Sequence, residues 1–156
     1  MRHGPAVERG AKGIADDERP LTDEGRTRTR EAARGIARLE PDIDEIWTSP
    51  LPRALETAEI LARALDLPAP RRTDLLGPEV PARRLLEALR LAKGRCAAFV
   101  GHEPGLGEAV ALLVGARKDA FPLKKAGLAV VEITGALRGA LRLLAPPALL
   151  RAFAGR

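Results

Sequence analysis

Several residue types are scarce in this sequence: its 156 residues include one cysteine, two histidines, three phenylalanines, one tryptophan and no tyrosine. The lone thiol of Cys96 excludes an intramolecular disulfide and a cysteine-based zinc cluster, and it suggests a reducing compartment. Since 46% of the residues are nevertheless hydrophobic, the core has to be built from alanine, leucine, valine and isoleucine. No apolar stretch approaches the ~18 residues of a membrane span, and the charged start does not resemble a signal peptide. We therefore expect one domain over residues 1–156, located in the cytoplasm and without a membrane partner.

The charge of the chain is basic in balance, with 26 lysines and arginines against 21 acidic residues and a net charge of +5. Such a balance can attract nucleic acid or another polyanion. The arginines are spread along the chain among aspartates and glutamates, and no basic block with interleaved aromatic residues occurs. We therefore expect no nucleic-acid partner.

Helix and strand patterns alternate along the chain. Thr22 is a suitable N-cap for a helix whose first turn is acidic, and the apolar run 96–100 is typical of a strand buried on both faces of a parallel sheet. This alternation predicts an α/β fold of three layers, a mostly parallel sheet with helices on both faces. The pattern predicts loops over 5–20 and 67–81, strands over 43–48 and 96–100, and helices from 22 to Pro41, from 52, over 82–93 and from 105. The pattern ends with a hairpin of 128–133 and 140–144, its turn over 134–139, and a short terminal helix opened by Pro146-Pro147. A helix over 136–144 stays open as an alternative.

Four side chains are placed as a phosphoryl pocket requires. Arg53 and His102 each follow a predicted strand, and ligands of open α/β sheets bind at the carboxyl ends of the strands. Arg2 and His3 stand at the start of the chain. Arginine binds phosphate through two parallel charge-assisted hydrogen bonds, and a neutral histidine can attack phosphorus to form a covalent phosphoenzyme. The four residues together predict a pocket for a compact dianion and phosphoryl transfer without a metal or another cofactor.

Each of these residues also has an ordinary structural interpretation. His3 is explained as a surface histidine at a chain end, His102 as a core histidine bonded to backbone, and Arg53 as an arginine on a helix face. The two histidines have only scattered carboxylates as further ligands, with no helical ligand spacing, so we expect no metal site.

Several short stretches of the sequence occur together in one known family. They are Met1-Arg2-His3-Gly4-Pro5-Ala6, Arg19-Pro20-Leu21-Thr22-Asp23-Glu24-Gly25, Thr48-Ser49-Pro50-Leu51-Pro52-Arg53-Ala54 through Thr57-Ala58, Val100-Gly101-His102-Glu103-Pro104 and Leu123-Lys124-Lys125-Ala126-Gly127-Leu128. On these stretches the chain resembles the histidine phosphatase superfamily, with its phosphoglycerate mutase-like fold. Within it, the chain most resembles the small branch typified by the SixA phosphohistidine phosphatase.

The resemblance implies a role for each pocket residue. His3 would be the phosphorylated nucleophile, and Arg2, Arg53 and His102 would hold the phosphoryl oxygens. Gly4 would let the backbone approach the ligand closely, since it lacks a Cβ.

The general acid stays open at this point. Glu103 stands where larger acid phosphatases of the family carry an acidic residue, although a loop glutamate paired with a nearby arginine explains it as well. Arg19 is expected to fix its loop by pairing with an acidic neighbour, and Lys124 and Lys125 are expected to be solvated.

The length of the chain bears on the substrate that the resemblance implies. Mutases and larger acid phosphatases of the family carry insertions that cap the site, and this chain has no room for them. An uncapped site suits phosphohistidine on a signalling protein, such as a histidine-containing phosphotransfer domain, or a small phosphoester. The alternatives are a small-molecule phosphomonoesterase or mutase of the same superfamily and a non-catalytic phosphate-binding domain.

One expected element is short. Members of the family have an apolar strand directly before the Arg-His-Gly stretch, in the middle of the sheet, and here only Met1 precedes Arg2. We therefore expect a truncated first strand, and a reading frame that begins upstream of Met1. If the chain does begin at Met1, we expect low stability or another segment in the place of that strand.

Overall fold

The computed structural model describes residues 1–39, 41–135 and 137–155. The one-domain prediction over 1–156 includes residues 40, 136 and 156, which lie outside the described residues, and it stays a prediction. The helices are α1 (Asp23–Ala37), α2 (Pro52–Ala64), α3 (Ala82–Leu85), α4 (Gly105–Val114) and α5 (Pro147–Ala154). The strands are β1 (Glu45–Thr48), β2 (Arg71–Arg72), β3 (Ala97–Val100), β4 (Leu128–Gly135) and β5 (Arg138–Ala145).

Local sequence signals set the ends of several helices. Thr22 caps α1, because its Oγ1 accepts a hydrogen bond from the Gly25 backbone nitrogen at 2.9 Å. Pro52 opens α2, where its missing N–H removes no helical hydrogen bond. Helix α4 ends at Gly115, whose φ of 69° lies in the left-handed region that glycine tolerates. The predicted starts of these three helices are confirmed.

The sheet consists of β2, β1 and β3 in that order, and all three strands are parallel. Trp47 of β1 lies opposite Phe99 of β3, while β4 and β5 form a separate antiparallel hairpin. Arg2 forms a parallel bridge with Gly101, just past the end of β3, and its backbone nitrogen donates to the Gly127 carbonyl, just before β4. The first residues of the chain therefore lie between the sheet and the hairpin.

Helices pack on both faces of the sheet, because successive side chains of a strand point to opposite faces. Ile46 and Ala98 belong to a core shared with α1, α2 and α5, whereas Trp47 and Phe99 border a second core formed mainly by α3 and α4. The buried residues of both cores are mostly alanine and leucine, as the scarcity of aromatics requires. This arrangement confirms the predicted three-layer α/β fold.

The helix predicted over 82–93 is wrong in its extent. Helix α3 ends at Leu85, and a 3-10 helix, Leu86–Arg90, follows it. The backbone nitrogens of Lys93 and Gly94 donate to the Glu45 carboxylate at 2.6 and 2.8 Å. These two residues are therefore held by a tertiary contact with β1 and do not close a helix.

Two predicted loops contain short regular elements. The loop over 67–81 includes β2 and a 3-10 helix, Asp74–Leu76, and the loop over 5–20 includes a 3-10 helix, Asp16–Glu18. The predicted hairpin is confirmed, and residues 138–145 form a strand, which rules out the alternative helix over 136–144. Residue 136 in its turn lies outside the described residues.

Candidate active site

The basic residues singled out from the sequence lie at the carboxyl edge of the parallel sheet. His3 follows the segment beside β3, His102 follows β3 itself, and Arg53 is the second residue of α2, after β1. The ring centroids of His3 and His102 are 5.0 Å apart. The exposed fractions of His3, His102 and Arg53 are 6%, 3% and 1%, and Arg2 is half-buried. The fold therefore collects three distant segments of the chain into one buried basic cluster.

The His3 ring is held in one tautomer. Its Nδ1 lies 2.7 Å from the Gly4 carbonyl oxygen, and because a carbonyl only accepts, Nδ1 carries the hydrogen. Burial lowers the pKa of His3 to about 4, against the Gly4 hydrogen bond that raises it, and the charges of Arg53 and Arg2 add to the lowering. At pH 7 the ring is therefore neutral, with a free lone pair on Nε2, which is the nucleophilic form of imidazole.

His102 is fixed by a hydroxyl from the neighbouring strand end. Its Nε2 lies 3.0 Å from Oγ of Ser49, a fully buried residue directly after β1. The same Oγ accepts a hydrogen bond at 3.3 Å from the backbone nitrogen of Leu51, the N-cap residue of α2. Burial, followed by the charges of His3 and Arg53, lowers the pKa of His102 to about 3. Ser49 therefore connects His102 to the start of the helix that carries Arg53.

Each pocket arginine has one buried nitrogen without a hydrogen-bond partner among the described residues, namely its Nε. The Nη1 atoms are bound, that of Arg2 to the Leu123 carbonyl at 2.8 Å and that of Arg53 to the Asp16 carbonyl at 2.7 Å. A buried donor without an acceptor is unfavourable by ~1–3 kcal/mol. Burial also lowers the pKa of both guanidiniums, but arginine stays protonated in proteins. An anion with several acceptor oxygens would satisfy both donors and both charges.

The 3-10 helix Asp16–Glu18 contributes to the pocket, and the sequence analysis missed it. The Asp16 carboxylate lies 3.7 Å from an Arg53 nitrogen and binds Arg9 and Arg19 at 2.8 and 3.0 Å. These arginines lower the pKa of Asp16, so it is an anion at pH 7. The expected pairing of Arg19 with an acidic neighbour is confirmed. That pairing is the feature of the sequence from which Asp16 could have been found.

Gly4 is packed between two helices. Its nitrogen donates to Oγ1 of Thr57 at 2.9 Å, and that hydroxyl donates to the Arg53 carbonyl at 2.7 Å within α2. A Cβ at position 4 would overlap Oγ1 of Thr29 on α1. Packing against α1 is enough to require glycine here, so the close approach of a ligand to Gly4 stays a prediction.

The Glu103 carboxylate is engaged by the backbone. Its Oε1 accepts a hydrogen bond at 3.0 Å from the Gly107 nitrogen in the first turn of α4, and the backbone of Leu123 binds it as well. Burial raises the pKa of Glu103, while the charge of Arg2 favours its ionised form. These contacts give Glu103 a structural role at the start of α4. Its role as general acid stays a prediction.

The surroundings of the pocket add little further chemistry. Lys124 and Lys125 are exposed, as expected, although the charge of Lys125 contributes to the low pKa of His3. Within residues 1–39, 41–135 and 137–155, no three His, Cys, Asp or Glu side chains are grouped to hold a metal ion. In the same ranges, no helix has the length and apolar character needed to cross a membrane.

Comparisons with known proteins agree with this geometry. The profile of the histidine phosphatase superfamily (branch 1) matches residues 1–76. An uncharacterized protein of Picosynechococcus sp. is 40% identical over 149 residues, which cover 93% of this chain and 87% of that protein. The structure of the protein histidine phosphatase SixA complexed with tungstate is similar at 26% identity and a TM-score of 0.82, covering 95% of both chains. The alpha-ribazole phosphatase from Shigella flexneri shares the fold, with a TM-score of 0.73, 16% identity, and coverage of 94% of this chain and 95% of that one.

Proposed function

Since this chain belongs to the histidine phosphatase superfamily, we propose that it hydrolyses phosphohistidine on a protein, with His3 as the nucleophile. Membership of this family makes the chain a phosphatase. The phosphohistidine substrate and the roles of the individual residues are what we propose. The observation that carries it is the pair of buried Nε donors of Arg2 and Arg53 without partners, beside two histidines that are neutral at pH 7. A phosphoryl group supplies acceptor oxygens for both Nε donors, and its negative charge is attracted to the two arginines.

The first chemical step forms a bond between His3 Nε2 and phosphorus. The hydrogen stays on Nδ1, which donates it to the Gly4 carbonyl, so the attacking ring becomes a phosphorylated imidazolium. The bond from phosphorus to the leaving atom breaks, and the leaving group takes the electron pair. Arg2, Arg53 and His102 bind the phosphoryl oxygens, and the positive charges of the two arginines stabilise the transition state.

The second step returns the enzyme to its starting form. Water attacks phosphorus from the side that the leaving group has vacated and loses its proton to solvent. The bond between phosphorus and His3 Nε2 breaks, and the ring keeps the electron pair. The products are inorganic phosphate and a neutral His3 with its hydrogen still on Nδ1.

The leaving group favours phosphohistidine over a phosphoester. The two carboxylates nearest the pocket arginines are both engaged, since Asp16 binds Arg9 and Arg19 and Glu103 binds backbone nitrogens. An alkoxide needs a proton donor to leave, whereas the imidazole of phosphohistidine already carries its proton and leaves neutral. A small-molecule phosphomonoesterase is the second candidate, because alpha-ribazole phosphatase shares the fold. We further propose a cytoplasmic location, which suits the free thiol of Cys96.

Phosphoenzyme trapping tests the nucleophile. The protein is mixed with a protein carrying ³²P-phosphohistidine and quenched within milliseconds, and acid-labile label on the chain is measured for wild type and His3→Ala. We expect label on wild type, none on His3→Ala, and a loss of turnover of at least about 10³-fold. Label on neither protein, with tight phosphate binding by wild type, would identify a non-catalytic phosphate-binding domain. Equal label on both would place the nucleophile elsewhere.

A substrate comparison separates the two candidate functions. kcat/KM is measured for the phosphohistidine protein and for small phosphomonoesters, with wild type and Glu103→Gln. We expect the phosphohistidine protein to be the better substrate by at least about 100-fold, and Glu103→Gln to change its kcat/KM by less than about threefold. Higher kcat/KM for a small ester, together with a large loss in Glu103→Gln, would favour the phosphomonoesterase and assign Glu103 as its acid.

A further inference from the structure

The four backbone polar groups of His3 and Gly4 all have hydrogen-bond partners. The His3 nitrogen donates to the Gly101 carbonyl at 3.0 Å, and the His3 carbonyl accepts from the Ala126 nitrogen at 3.0 Å. The Gly4 carbonyl accepts from His3 Nδ1 at 2.7 Å, and the Gly4 nitrogen donates to Thr57 Oγ1 at 2.9 Å. Of these four bonds, the one to Thr57 joins the turn to a side chain of another element.

Thr57 lies on α2, one helical turn after Arg53, so both side chains are on the same face of the helix. It is fully buried, and its hydroxyl donates to the Arg53 carbonyl at 2.7 Å while it accepts the Gly4 N–H. The Gly4 N–H is therefore occupied and is not available to a ligand. One helix thus carries an arginine of the pocket and the anchor of the turn that contains His3.

Hydrogen bonds have to fix the orientation of Gly4, because it has no side chain to pack. The Thr29 hydroxyl requires glycine at this position, and glycine has the greatest backbone freedom of all residues. The Gly4 carbonyl in turn sets the tautomer of His3, since the acceptor at one ring nitrogen determines which nitrogen carries the hydrogen. The tautomer with its hydrogen on Nδ1 has the lone pair on Nε2 that attacks phosphorus.

We propose that Thr57 is a positioning residue for His3. Its hydroxyl holds Gly4 so that the Gly4 carbonyl keeps the hydrogen of His3 on Nδ1, and it fixes this turn relative to Arg53. The inference rests on the proposed function, in which His3 Nε2 attacks phosphorus. Loss of the hydroxyl leaves the Gly4 N–H without its partner, so the carbonyl moves and the ring exchanges between its two tautomers. The guanidinium of Arg53 keeps its own contacts, so binding of phosphate changes less than the rate of attack.

A pair of matched threonines tests the proposal. Thr29 on α1 is also fully buried and lies beside Gly4, and its hydroxyl donates to the Gly25 carbonyl at 2.7 Å. The two threonines differ in that the Gly4 nitrogen donates to Thr57. Thr57→Val and Thr29→Val each replace a buried hydroxyl by a methyl group of similar size, and Thr57→Ser keeps the hydroxyl.

The first measurement is the single-turnover rate of phosphoenzyme formation with the phosphohistidine protein. We expect Thr57→Val to lower this rate about 10–100-fold, because small displacements of a reacting group have effects of this size. Its Kd for inorganic phosphate is expected to change by less than about threefold. The rates of Thr29→Val and Thr57→Ser are expected to stay within about threefold of wild type.

The second measurement detects the tautomer of His3 and needs no substrate. The chain has two histidines, so ¹⁵N NMR of the imidazole nitrogens gives few signals, and His3→Ala identifies those of His3. At pH 7 we expect Nε2 of His3 to resonate as an unprotonated nitrogen in wild type, Thr29→Val and Thr57→Ser. In Thr57→Val, the signal is expected to move towards that of a protonated nitrogen.

Three results overturn the proposal. No loss of rate in Thr57→Val, or an equal loss in Thr29→Val, shows that the bond to Gly4 does not position the nucleophile. An unchanged His3 tautomer in Thr57→Val shows that the hydroxyl does not hold the Gly4 carbonyl in place. If Thr57→Val does not fold, Thr57→Cys replaces it in both measurements, because a thiol is a weak acceptor. Absence of a phosphoenzyme in wild type refutes the proposed function instead, and the tautomer measurement still decides whether Thr57 holds the ring.

Discussion

Replacing Ser49 by alanine removes a hydroxyl that makes two contacts in the pocket. One joins Ser49 Oγ to Nε2 of His102 at 3.0 Å, and the other accepts the Leu51 nitrogen at 3.3 Å. Both Ser49 and His102 are buried, so water does not readily replace the lost partner. The variant Ser49→Ala therefore loosens His102 and the first turn of the helix that carries Arg53 at the same time.

The size of the effect follows from these two bonds. Leaving the buried ring nitrogen unpaired costs ~1–3 kcal/mol, and the longer Leu51 bond adds ~0.5 kcal/mol. A total of about 1.5–3.5 kcal/mol lowers Tm by about 3–14 °C for a chain of this length. In catalysis, the misplaced His102 and Arg53 cost ~1.4–2.8 kcal/mol of transition-state binding, which lowers kcat/KM about 10–100-fold.

Thr73→Ala is the matched control for this experiment. Thr73 Oγ1 accepts the Leu75 nitrogen at 3.3 Å, the same distance and spacing as Ser49 and Leu51, but no histidine binds it. We expect Thr73→Ala to lose about 0.5 kcal/mol of stability and to keep its kcat/KM. The measurements are thermal unfolding and phosphohistidine hydrolysis. The Ser49–His102 contact does not position the site if folded Ser49→Ala keeps kcat/KM within about twofold of wild type. The same conclusion follows if Thr73→Ala loses as much kcat/KM as Ser49→Ala.

Two further predictions use the same assays. Gly4→Ala destabilises the fold by about 1–3 kcal/mol, because its Cβ overlaps the Thr29 hydroxyl. Adding Thr29→Ala to the same chain recovers part of the lost stability. A double variant that is no more stable than Gly4→Ala contradicts this packing. The pKa of His3, lowered to about 4, places the acid limb of kcat/KM near pH 4, and a limb near pH 6.5 in the free enzyme would contradict a neutral buried ring. Since the unfolded chain binds a proton at His3 below about pH 6.5 and the folded chain does not, stability rises with pH from about 4 to 6.5, and His3→Ala flattens that rise in thermal unfolding.

The sequence predicted the order of the elements well where local signals are strong. The helix cap at Thr22, the proline at the start of α2 and the doubly apolar run of β3 act within a few residues, so their outcome is visible in the sequence. The helix predicted over 82–93 was too long: α3 ends at Leu85, and the backbone of Lys93 donates to Glu45, almost fifty residues earlier in the chain. No local pattern contains that contact.

The pocket residues were found because histidine is rare and the arginines stand in recognisable stretches, and the structure then placed Arg2, His3, Arg53 and His102 together. Asp16 was missed because the sequence around it has no periodic pattern, and it reaches Arg53 only through folding. The sequence indicated no role for Ser49, because its hydrogen bond to His102 joins the ends of two different strands.

The sequence by itself determined the α/β class, the family and the residue types of the pocket, because these depend on periodicity, caps and short stretches that are local in the chain. The tertiary structure decided the protonation of the two histidines, the unpaired donors of the two arginines and the hydrogen bonding of the Glu103 carboxylate. Those properties depend on burial and on distances between segments that lie up to 121 residues apart in the chain. Desolvation is a property of the packed surroundings of a group, so the low pKa of His3 becomes visible only once the sheet has brought His102 and Arg53 beside it.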